Sequence, residues 1–298
     1  MRSPWSVKTC LLDYGKMHHI FGFSEHYYGF WHCCDNAGFC LVCMKVVDQM
    51  TVNQPSQSEK TDTLYIVIPA YNEKDNIRQL IDDWYPVIEA TVNPDSRLVV
   101  VNDGSKDNTY EILEELATSR PLLQPLTKPN GGHGPTLIYG YNYALKNGAD
   151  WIFQTDSDGQ TNPKEFEEFW NLRKEYDAIL GNRQGTRQDG SSRKFVENTL
   201  RLILKLTFGV SVPDANAPFR LMKRELLEKY LKKMPEDFNL PNVMLTTYFT
   251  YFHEKIAFRV ITFKPRQGGI NSINFKKIFK IGWKALGDFR NLKRHINE

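Results

Sequence analysis

The feature that most constrains the fold of this chain is an alternation of apolar runs and helical patterns that begins at residue 63. Leu64 to Ile68 and Arg97 to Val101 are nearly continuous apolar runs, as expected of strands that are buried on both faces. Between them, apolar residues recur at i, i+3, i+4 and i+7 from Ile77 to Ile88, which predicts an amphipathic helix. This alternation predicts an α/β fold with a mostly parallel central sheet and helices on both faces.

The pattern continues with less regularity toward the C-terminus. Helices are predicted over 110–117, 135–146, 164–173 and 194–208, strands at 151–153 and 178–181, and extended segments over 214–221 and 258–263. Pro69 is expected to stop the first strand, and Pro125 to Gly134 is predicted to be a glycine-rich loop.

Composition limits the class of protein. With 298 residues, 41% hydrophobic and 24% charged, the chain resembles an ordinary globular protein with a substantial core. The net charge of +3 is too small to indicate a nucleic-acid partner, and none is predicted. The chain has neither a run of about 18 apolar residues nor a secretory leader, so a cytoplasmic location is expected.

Residues 1–61 differ from the rest of the chain. They are rich in aromatic residues, contain all five cysteines and end in a polar, linker-like stretch. We expect an N-terminal segment of unknown role, either accessory or disordered, or an artefact of a start site whose natural position is Met44 or Met50. Cys40 and Cys43 have the spacing of zinc ligands, but the remaining cysteines are a poor second half for a tetrahedral site, and zinc is not predicted.

Two carboxylates follow the apolar run Trp151 to Phe153. Asp156 and Asp158 are separated by one residue and followed by Gly159, so a turn at the end of a strand brings both side chains toward one point. With no lysine or arginine between them they repel each other, and a hard divalent cation, Mg²⁺ or Mn²⁺, removes that repulsion. The alternative is a solvated acidic turn that caps the next helix.

Polar residues also follow the first two predicted strands. Asn72 and Glu73 come after the first strand, and Asp103 and Gly104 after the second. Ligand sites of open parallel sheets lie beyond the carboxyl ends of the strands. We therefore expect these residues to converge with the acidic turn.

The chain resembles a known family at these positions. The motifs are Pro69-Ala70-Tyr71-Asn72-Glu73, Asn102-Asp103-Gly104-Ser105 and Asp156-Ser157-Asp158-Gly159-Gln160. Together they resemble family-2 glycosyltransferases of the GT-A fold. Gly181-Asn182-Arg183, Arg193 and the segment from Asp214 to Arg220 are similar to the branch that contains dolichol-phosphate mannose synthase and bacterial polyprenyl-phosphate glycosyltransferases. The resemblance covers about residues 63–290, and residues 62–298 are the predicted glycosyltransferase domain.

The resemblance implies roles for individual residues. The donor nucleotide sugar would be held by Pro69, Ala70, Tyr71, Asn72, Glu73, Asp103, Gly104, Ser105 and Asp156. Asp156 and Asp158 would bind the metal, with Gln160 as a further contact, and Asp158 would be catalytic. Alternatives remain for two of them: Glu73 in helix capping, and Asp103 in an ordinary Asp-Gly turn.

Arginines cluster after the strand at 178–181. Arg183, Arg187 and Arg193 lie in a segment with glycines and serines, which suits a loop whose guanidinium groups bind phosphate. The resemblance implies catalytic roles for Arg183 and Arg193, and contacts to the acceptor or its phosphate for Arg187, Asp214 and Arg220. The alternative is a solvated basic loop.

The family implies transfer of one sugar with inversion, and the preferred acceptor is a polyprenyl phosphate, whose oxygen is already anionic. The alternative acceptor is a sugar hydroxyl of a cell-surface polysaccharide or lipopolysaccharide intermediate, which requires a base, with Asp237 as the candidate. Asp237 also suits a helix N-cap. The Gln-x-x-Arg-Trp signature of processive enzymes is absent from the sequence, which argues against a polymer synthase.

A basic amphipathic helix is predicted over about 274–294. Apolar residues at helical spacing with interleaved lysines suit peripheral contact with anionic lipid at the inner face of the cytoplasmic membrane. They also suit packing on the helix's own domain.

Two rival functions are a sugar nucleotidyltransferase and an inactive binding scaffold. A sugar nucleotidyltransferase has a glycine-rich, arginine-containing loop after its first strand, and this chain has no such loop after Ile68. The intact acidic pair argues against an inactive scaffold.

Overall fold

The computed structural model describes residues 61–91, 93–183, 191–264, 287 and 289–294, and only the backbone of 191–196. The chain divides into two units, Met1–Glu59 and Lys60–Glu298, and the described residues belong to the second. The predicted N-terminal segment 1–61 lies outside them except for Thr61, as does most of the predicted helix over about 274–294. Residues 289–294 are helical.

The described part of the chain alternates strands and helices. The strands are β1 Leu64–Ala70, β2 Arg97–Asn102, β3 Leu123–Thr127, β4 Trp151–Gln154, β5 Ala178–Asn182, β6 Arg220–Lys223 and β7 Ile256–Val260. The helices are α1 Ile77–Glu89, α2 Thr109–Ala117, α3 His133–Lys146, α4 Phe166–Leu172, α5 Ser191–Phe208, α6 Arg224–Leu231 and α7 Pro241–Tyr251. A 3₁₀ turn, Pro163–Glu165, precedes α4.

All seven strands form one sheet in the order β3-β2-β1-β4-β6-β5-β7. β6 runs antiparallel to its neighbours β4 and β5, whereas the other pairings are parallel. β1 lies between β2 and β4, so the loops that follow these three strands emerge at the same edge. The predicted mostly parallel sheet is confirmed.

Both faces of the sheet are covered by helices, as predicted. Leu64, Ile66 and Ile68 of β1 point into one core, which they share with apolar residues of α1, α2 and α4. Tyr65 and Val67 point into the other, which contains α3, α6 and α7. Because alternate residues of a strand face opposite sides, a continuous apolar run fills both cores at once.

Several boundaries differ from the predictions. β1 continues through Pro69 to Ala70, and Leu123–Thr127 forms β3, where a loop was predicted from Pro125 onward. β3 lies at the edge of the described sheet, where a proline is tolerated because one side of the strand has no neighbour. The extended segment 214–221 contributes β6 only from Arg220.

Candidate functional site

Loops from three strands meet at one edge of the sheet and are joined by hydrogen bonds. The N–H of Asp103 donates to the carbonyl of Ala70 at 2.9 Å, and the N–H of Asn72 donates to Ser105 Oγ at 2.9 Å. Ser157 Oγ, in the acidic turn, donates to Glu73 Oε1 at 3.4 Å. The structure therefore brings together the three motifs that the sequence predicted to converge.

The loop after β1 has a fixed backbone and an exposed aromatic side chain. Asn72 has a left-handed φ of 55°, and its Oδ1 accepts a hydrogen bond from the N–H of Lys106 at 2.8 Å. Pro69 and Ala70 are buried at the end of β1, whereas Tyr71 is 42% exposed. Tyr71 therefore offers a ring face at the rim of the site.

Glu73 is buried and belongs to the turn that leads into α1. Its Oε2 accepts from Asn76 Nδ2 at 2.9 Å, and its backbone carbonyl accepts from the N–H groups of Asn76 and Ile77. Its own N–H donates to Thr109 Oγ1 at 2.9 Å. The carboxylate thus contacts side chains of this turn and, through Ser157, of the acidic turn, and the choice between capping and donor contact stays open.

Asp103 organises the loop that follows β3. Lys128 Nζ lies 2.6 Å from its Oδ1, and the N–H groups of Gly131 and Gly132 each donate to the carboxylate at 2.9 Å. Burial alone would raise the pKa of Asp103, but the ammonium group and the backbone donors outweigh it and lower the pKa below its ordinary value. Lys128 could not be predicted as a partner of Asp103 from the sequence, where its only signal is its place just before Pro129-Asn130-Gly131-Gly132.

Gly104 fits this crowded position because it lacks a side chain. Its φ is +62°, and a Cβ atom there would lie 2.7 Å from the backbone nitrogen of Asn130. The loop at 128–132 thus approaches the end of β2 closely enough to place its N–H groups on Asp103.

The acidic turn lies at the lip of the same edge, and Gly159 permits it through a φ of 69°. Gln154 Nε2 donates to Asp156 Oδ1 at 3.0 Å, and the N–H of Gln160 donates to Asp158 Oδ1 at 3.2 Å. Asp156 is partly exposed, with His133 Nε2 at 3.8 Å from its Oδ1. The following 3₁₀ turn is capped by Asn162, which accepts from the N–H of Lys164, so the aspartates are not used as caps.

Two carboxylates of this kind fit a hard divalent cation, Mg²⁺ or Mn²⁺, that keeps further positions for other oxygen ligands. In the described ranges there is no group of three or more His, Cys, Asp or Glu side chains that could hold a metal ion.

Gln160, predicted as a further metal contact, ties the acidic turn to the chain beyond β7. Its Nε2 donates to the carbonyl of Lys264 at 2.7 Å, and the N–H of Lys264 donates back to the carbonyl of Gln160 at 2.8 Å. Thr161 and Phe263 form an antiparallel bridge beside these bonds. The metal contact of Gln160 stays a prediction.

Arg183 and Asp214, both predicted to serve the reaction, bind each other. Arg183 Nε and Nη2 donate to the two oxygens of Asp214 at 2.7 and 2.9 Å, and both side chains are buried. The guanidinium also lies over the ring of Phe263 at 5.1 Å. Arg187 and the side chain of Arg193 lie outside the described residues.

Arg220, predicted to contact the acceptor or its phosphate, is held by backbone carbonyls. It is 1% exposed, and its guanidinium donates to the carbonyls of Ala217 at 2.8 Å and Asn242 at 3.1 Å. A guanidinium withdrawn from water needs such acceptors. These bonds join the segment before β6 to α7, and the contact of Arg220 with the acceptor stays a prediction.

Asp237 is exposed in the turn between α6 and α7. The N-cap residue of α7 is Leu240, so the capping alternative for Asp237 is wrong. The backbone of the same turn lies against the start of α3, where a Cβ on Gly134 would approach the carbonyl of Phe238 to 2.4 Å. The role of Asp237 as a base stays a prediction.

Among the described residues, no helix is both long and apolar enough to cross a membrane.

Comparison with known proteins identifies the family. Residues 65–231 match the family model described as glycosyl transferase family 2. The undecaprenyl-phosphate 4-deoxy-4-formamido-L-arabinose transferase of Yersinia enterocolitica is 28% identical over 178 residues, which are 59% of this chain and 53% of that protein. The dolichyl-phosphate beta-glucosyltransferase ALG5C of Trichomonas vaginalis is 31% identical over 191 residues, 59% of this chain and 55% of that protein.

The chain spans about half of the length of these two relatives. Among solved structures, glucosyl-3-phosphoglycerate synthase of Mycobacterium tuberculosis in complex with Mn²⁺ and UDP-glucose superposes with a TM-score of 0.57 at 18% identity, over 78% of this chain and 79% of that one. This likeness confirms the GT-A fold, and the two relatives confirm the predicted branch. The chain belongs to glycosyl transferase family 2.

Proposed function

We propose that this protein is a glycosyltransferase that moves one sugar, with inversion, from a nucleotide-diphosphate sugar to a polyprenyl-phosphate lipid. The observation that carries the proposal is the joining of the β1 and β2 loops to each other and to the turn after β4 that bears Asp156 and Asp158. The names of the two relatives, both lipid-phosphate sugar transferases, support it. We assign this activity to residues 62–298.

The donor would lie across the three joined loops. Tyr71 offers a ring to the base, while the loop that binds Asp103 offers backbone groups near the ribose. Asp156 and Asp158 would hold Mg²⁺ or Mn²⁺, which when bound neutralises the diphosphate as the bond to the sugar breaks.

The acceptor side is assigned to the arginine-bearing segment after β5. A lipid phosphate is already anionic, so it attacks the anomeric carbon without a base, and guanidinium groups suit its binding. The second candidate function, transfer to a sugar hydroxyl, is favoured by one observation: the carboxylate of Asp237 is exposed and is not used as a helix cap. In that case Asp237 would accept the proton.

A membrane-facing surface is part of the proposal. Leu202 and Leu206, one turn apart on α5, are 56% and 76% exposed, and the cationic residues Arg201 and Lys205 lie beside them. An apolar stripe next to cationic side chains suits peripheral contact with anionic lipid, at the inner face of the cytoplasmic membrane, where a polyprenyl phosphate would be met.

Calorimetric titration with UDP, GDP, CDP and dTDP, each with and without Mn²⁺, tests the donor side. We expect one diphosphate to bind with a metal-dependent affinity. The matching nucleotide sugars are then offered with polyprenyl phosphate in detergent, and glycolipid formation is measured. No uptake of any diphosphate under either condition would contradict the proposal.

A further inference from the structure

We propose that Tyr141, Asn242 and Gln154 form a buried positioning relay that sets the orientation of Asp156 toward the donor. The positioning role rests on the proposed function, which supplies the donor and the metal ion toward which Asp156 is oriented. It adds three residues that neither the sequence motifs nor the family match assigns to the site.

The relay is a continuous chain of hydrogen bonds from the core to the lip of the sheet. Tyr141 Oη donates to Asn242 Oδ1 at 3.0 Å, and Asn242 Nδ2 donates to Gln154 Oε1 at 3.0 Å. Gln154 Nε2 then donates to Asp156 Oδ1 at 3.0 Å. Its members come from α3, α7 and β4, and Tyr141, Asn242 and Gln154 are buried.

The carboxylate at the end of the relay fixes the direction of the whole chain. Its oxygens accept hydrogen bonds, so Gln154 turns its NH₂ group toward Asp156 and its oxygen toward Asn242. Asn242 then turns its NH₂ group toward Gln154 and its oxygen toward Tyr141; burial raises the pKa of Tyr141 well above its ordinary value, so the phenol stays protonated and donates. Reversing either amide would set donor against donor or acceptor against acceptor inside the protein.

The middle of the relay is held in place by its surroundings. Arg220 Nη1 donates to the backbone carbonyl of Asn242 at 3.1 Å, and Thr246 Oγ1 donates to the same carbonyl at 2.9 Å. α7 is buried from Pro241 to Phe249, so its position depends on packing rather than on solvent. An anchored Asn242 in turn fixes Gln154, the last residue of β4.

The type of donor at the end of the relay also matters. Gln154 is neutral, so it fixes the rotation of the Asp156 carboxylate without cancelling its negative charge. A lysine or arginine in that place would bind the carboxylate equally well but would compete with a metal ion for it. The relay therefore preserves the charge that the proposed cation needs. Residues behind a metal ligand commonly change metal affinity by about 10- to 100-fold when replaced.

The first test needs no nucleotide. In the full-length protein, NMR records the side-chain NH₂ signals of Gln154 in wild type, Tyr141→Phe and the control Tyr248→Phe. Tyr248 is another buried tyrosine, and it lies on α7 outside the relay. We expect Tyr141→Phe to shift the Gln154 signals and Tyr248→Phe to leave them in place. Unchanged signals in Tyr141→Phe would overturn the relay, whatever the protein's activity.

The second test measures binding of the nucleoside diphosphate preferred by wild type, with and without Mn²⁺. Gln154→Met keeps the length of the side chain and should weaken metal-dependent binding by about tenfold or more. Tyr141→Phe should change it in the same direction by less, and binding without metal should be unaffected in both. Asn242→Asp, which cannot donate to Gln154, should behave like Gln154→Met.

The outcomes separate the two proposals. A wild type that binds no diphosphate overturns the proposed function, while the NMR comparison still decides whether the relay exists. A wild type that binds diphosphate, with Gln154→Met equal to it in the presence of Mn²⁺, overturns the positioning role. An equal loss with and without metal, together with a lowered Tm, would show that Gln154 only stabilises the fold and would also overturn it.

Discussion

Arg183 binds Asp214 through two parallel hydrogen bonds of 2.7 and 2.9 Å, with side chains that are 9% and 3% exposed. The pair joins the end of β5 to the segment that leads into β6. Removing one partner of such a pair leaves the other charge buried with less compensation, whereas replacing both is far less costly. The contribution of this pair to the free energy of unfolding can therefore be measured by comparing a single replacement with the replacement of both residues.

Arg183→Met should lower the free energy of unfolding by about 3 to 5 kcal/mol, because Asp214 stays buried and charged. The double variant Arg183→Met/Asp214→Leu should recover a substantial part of that loss, as measured by urea denaturation. Lys232→Met breaks the exposed pair with Glu228 and serves as the control, with a much smaller expected loss of stability. Strictly additive losses in the double variant would contradict the expectation.

Gly104→Ala should disrupt the close approach between β2 and the loop at 128–132. The new Cβ atom would lie 2.7 Å from the Asn130 nitrogen, in addition to the strain of φ +62°. Gly148→Ala is the matched control, since φ is +86° there but no atom lies within 4 Å of the added Cβ. We expect the control to lose about 1 kcal/mol from backbone strain alone and Gly104→Ala to lose more, together with diphosphate affinity. Equal losses in urea denaturation would show that the close approach is unimportant.

The pKa of Asp103 is lowered in the folded protein, so its ionised form stabilises the fold at neutral pH. The stabilisation is complete above the unfolded pKa of about 3.9 and is lost as pH falls through the lower folded pKa. Wild type should thus exceed Asp103→Asn in free energy of unfolding at pH 7, and the difference should shrink below about pH 4. Lys128→Met should weaken this pH dependence because it removes the ammonium group that lies 2.6 Å from Oδ1. A constant difference from pH 7 to pH 2 would contradict the assignment.

Asp158→Ala should reduce glycolipid formation by about 100-fold or more if the acidic pair holds the metal. Asp237→Asn should leave transfer to polyprenyl phosphate nearly unchanged, with the neighbouring Glu236→Gln as control. If the acceptor is a sugar hydroxyl, Asp237→Asn should instead lower kcat by about 10² to 10⁴, as the loss of a general base does. Rates with both acceptor types distinguish the two candidate functions.

Replacing Leu202 and Leu206 of α5 by asparagine should weaken binding to anionic vesicles by about tenfold or more. The reason is that two apolar side chains are no longer transferred from water into the membrane interface. Vesicle flotation with phosphatidylglycerol and with phosphatidylcholine alone measures the effect, and diphosphate binding provides the control for folding. Equal flotation of wild type and variant would place the membrane contact elsewhere.

The strands and helices that the sequence predicted well are those with a clear period or a continuous apolar run. β1, β2 and α1 are examples, and their alternation was enough to place the site at one edge of the sheet. α7 was missed because its residues from Pro241 to Phe249 are all buried, so it has no polar face to reveal a helical period. β3 was missed because Pro125 argued for a loop.

Site residues were predictable where they follow a strand in sequence, and not where the partner is distant. Asp103 and Lys128 are 25 residues apart, and Asn242 is 88 residues from Gln154. The backbone carbonyls that Arg220 binds could not be predicted either, because a motif does not show which acceptors surround an arginine. They depend on the packing of α7 against the sheet.

The short bridge between Thr161 and Phe263, beyond β7, connects two parts of the proposed site. Lys264 is bonded to Gln160 in the acidic turn, and its neighbour Phe263 lies against the guanidinium of Arg183. The turn that carries the carboxylates proposed for the donor and the arginine of the segment proposed for the acceptor are thus both held by residues 263–264. We therefore expect a displacement of the chain at these two residues to alter both parts of the proposed site together.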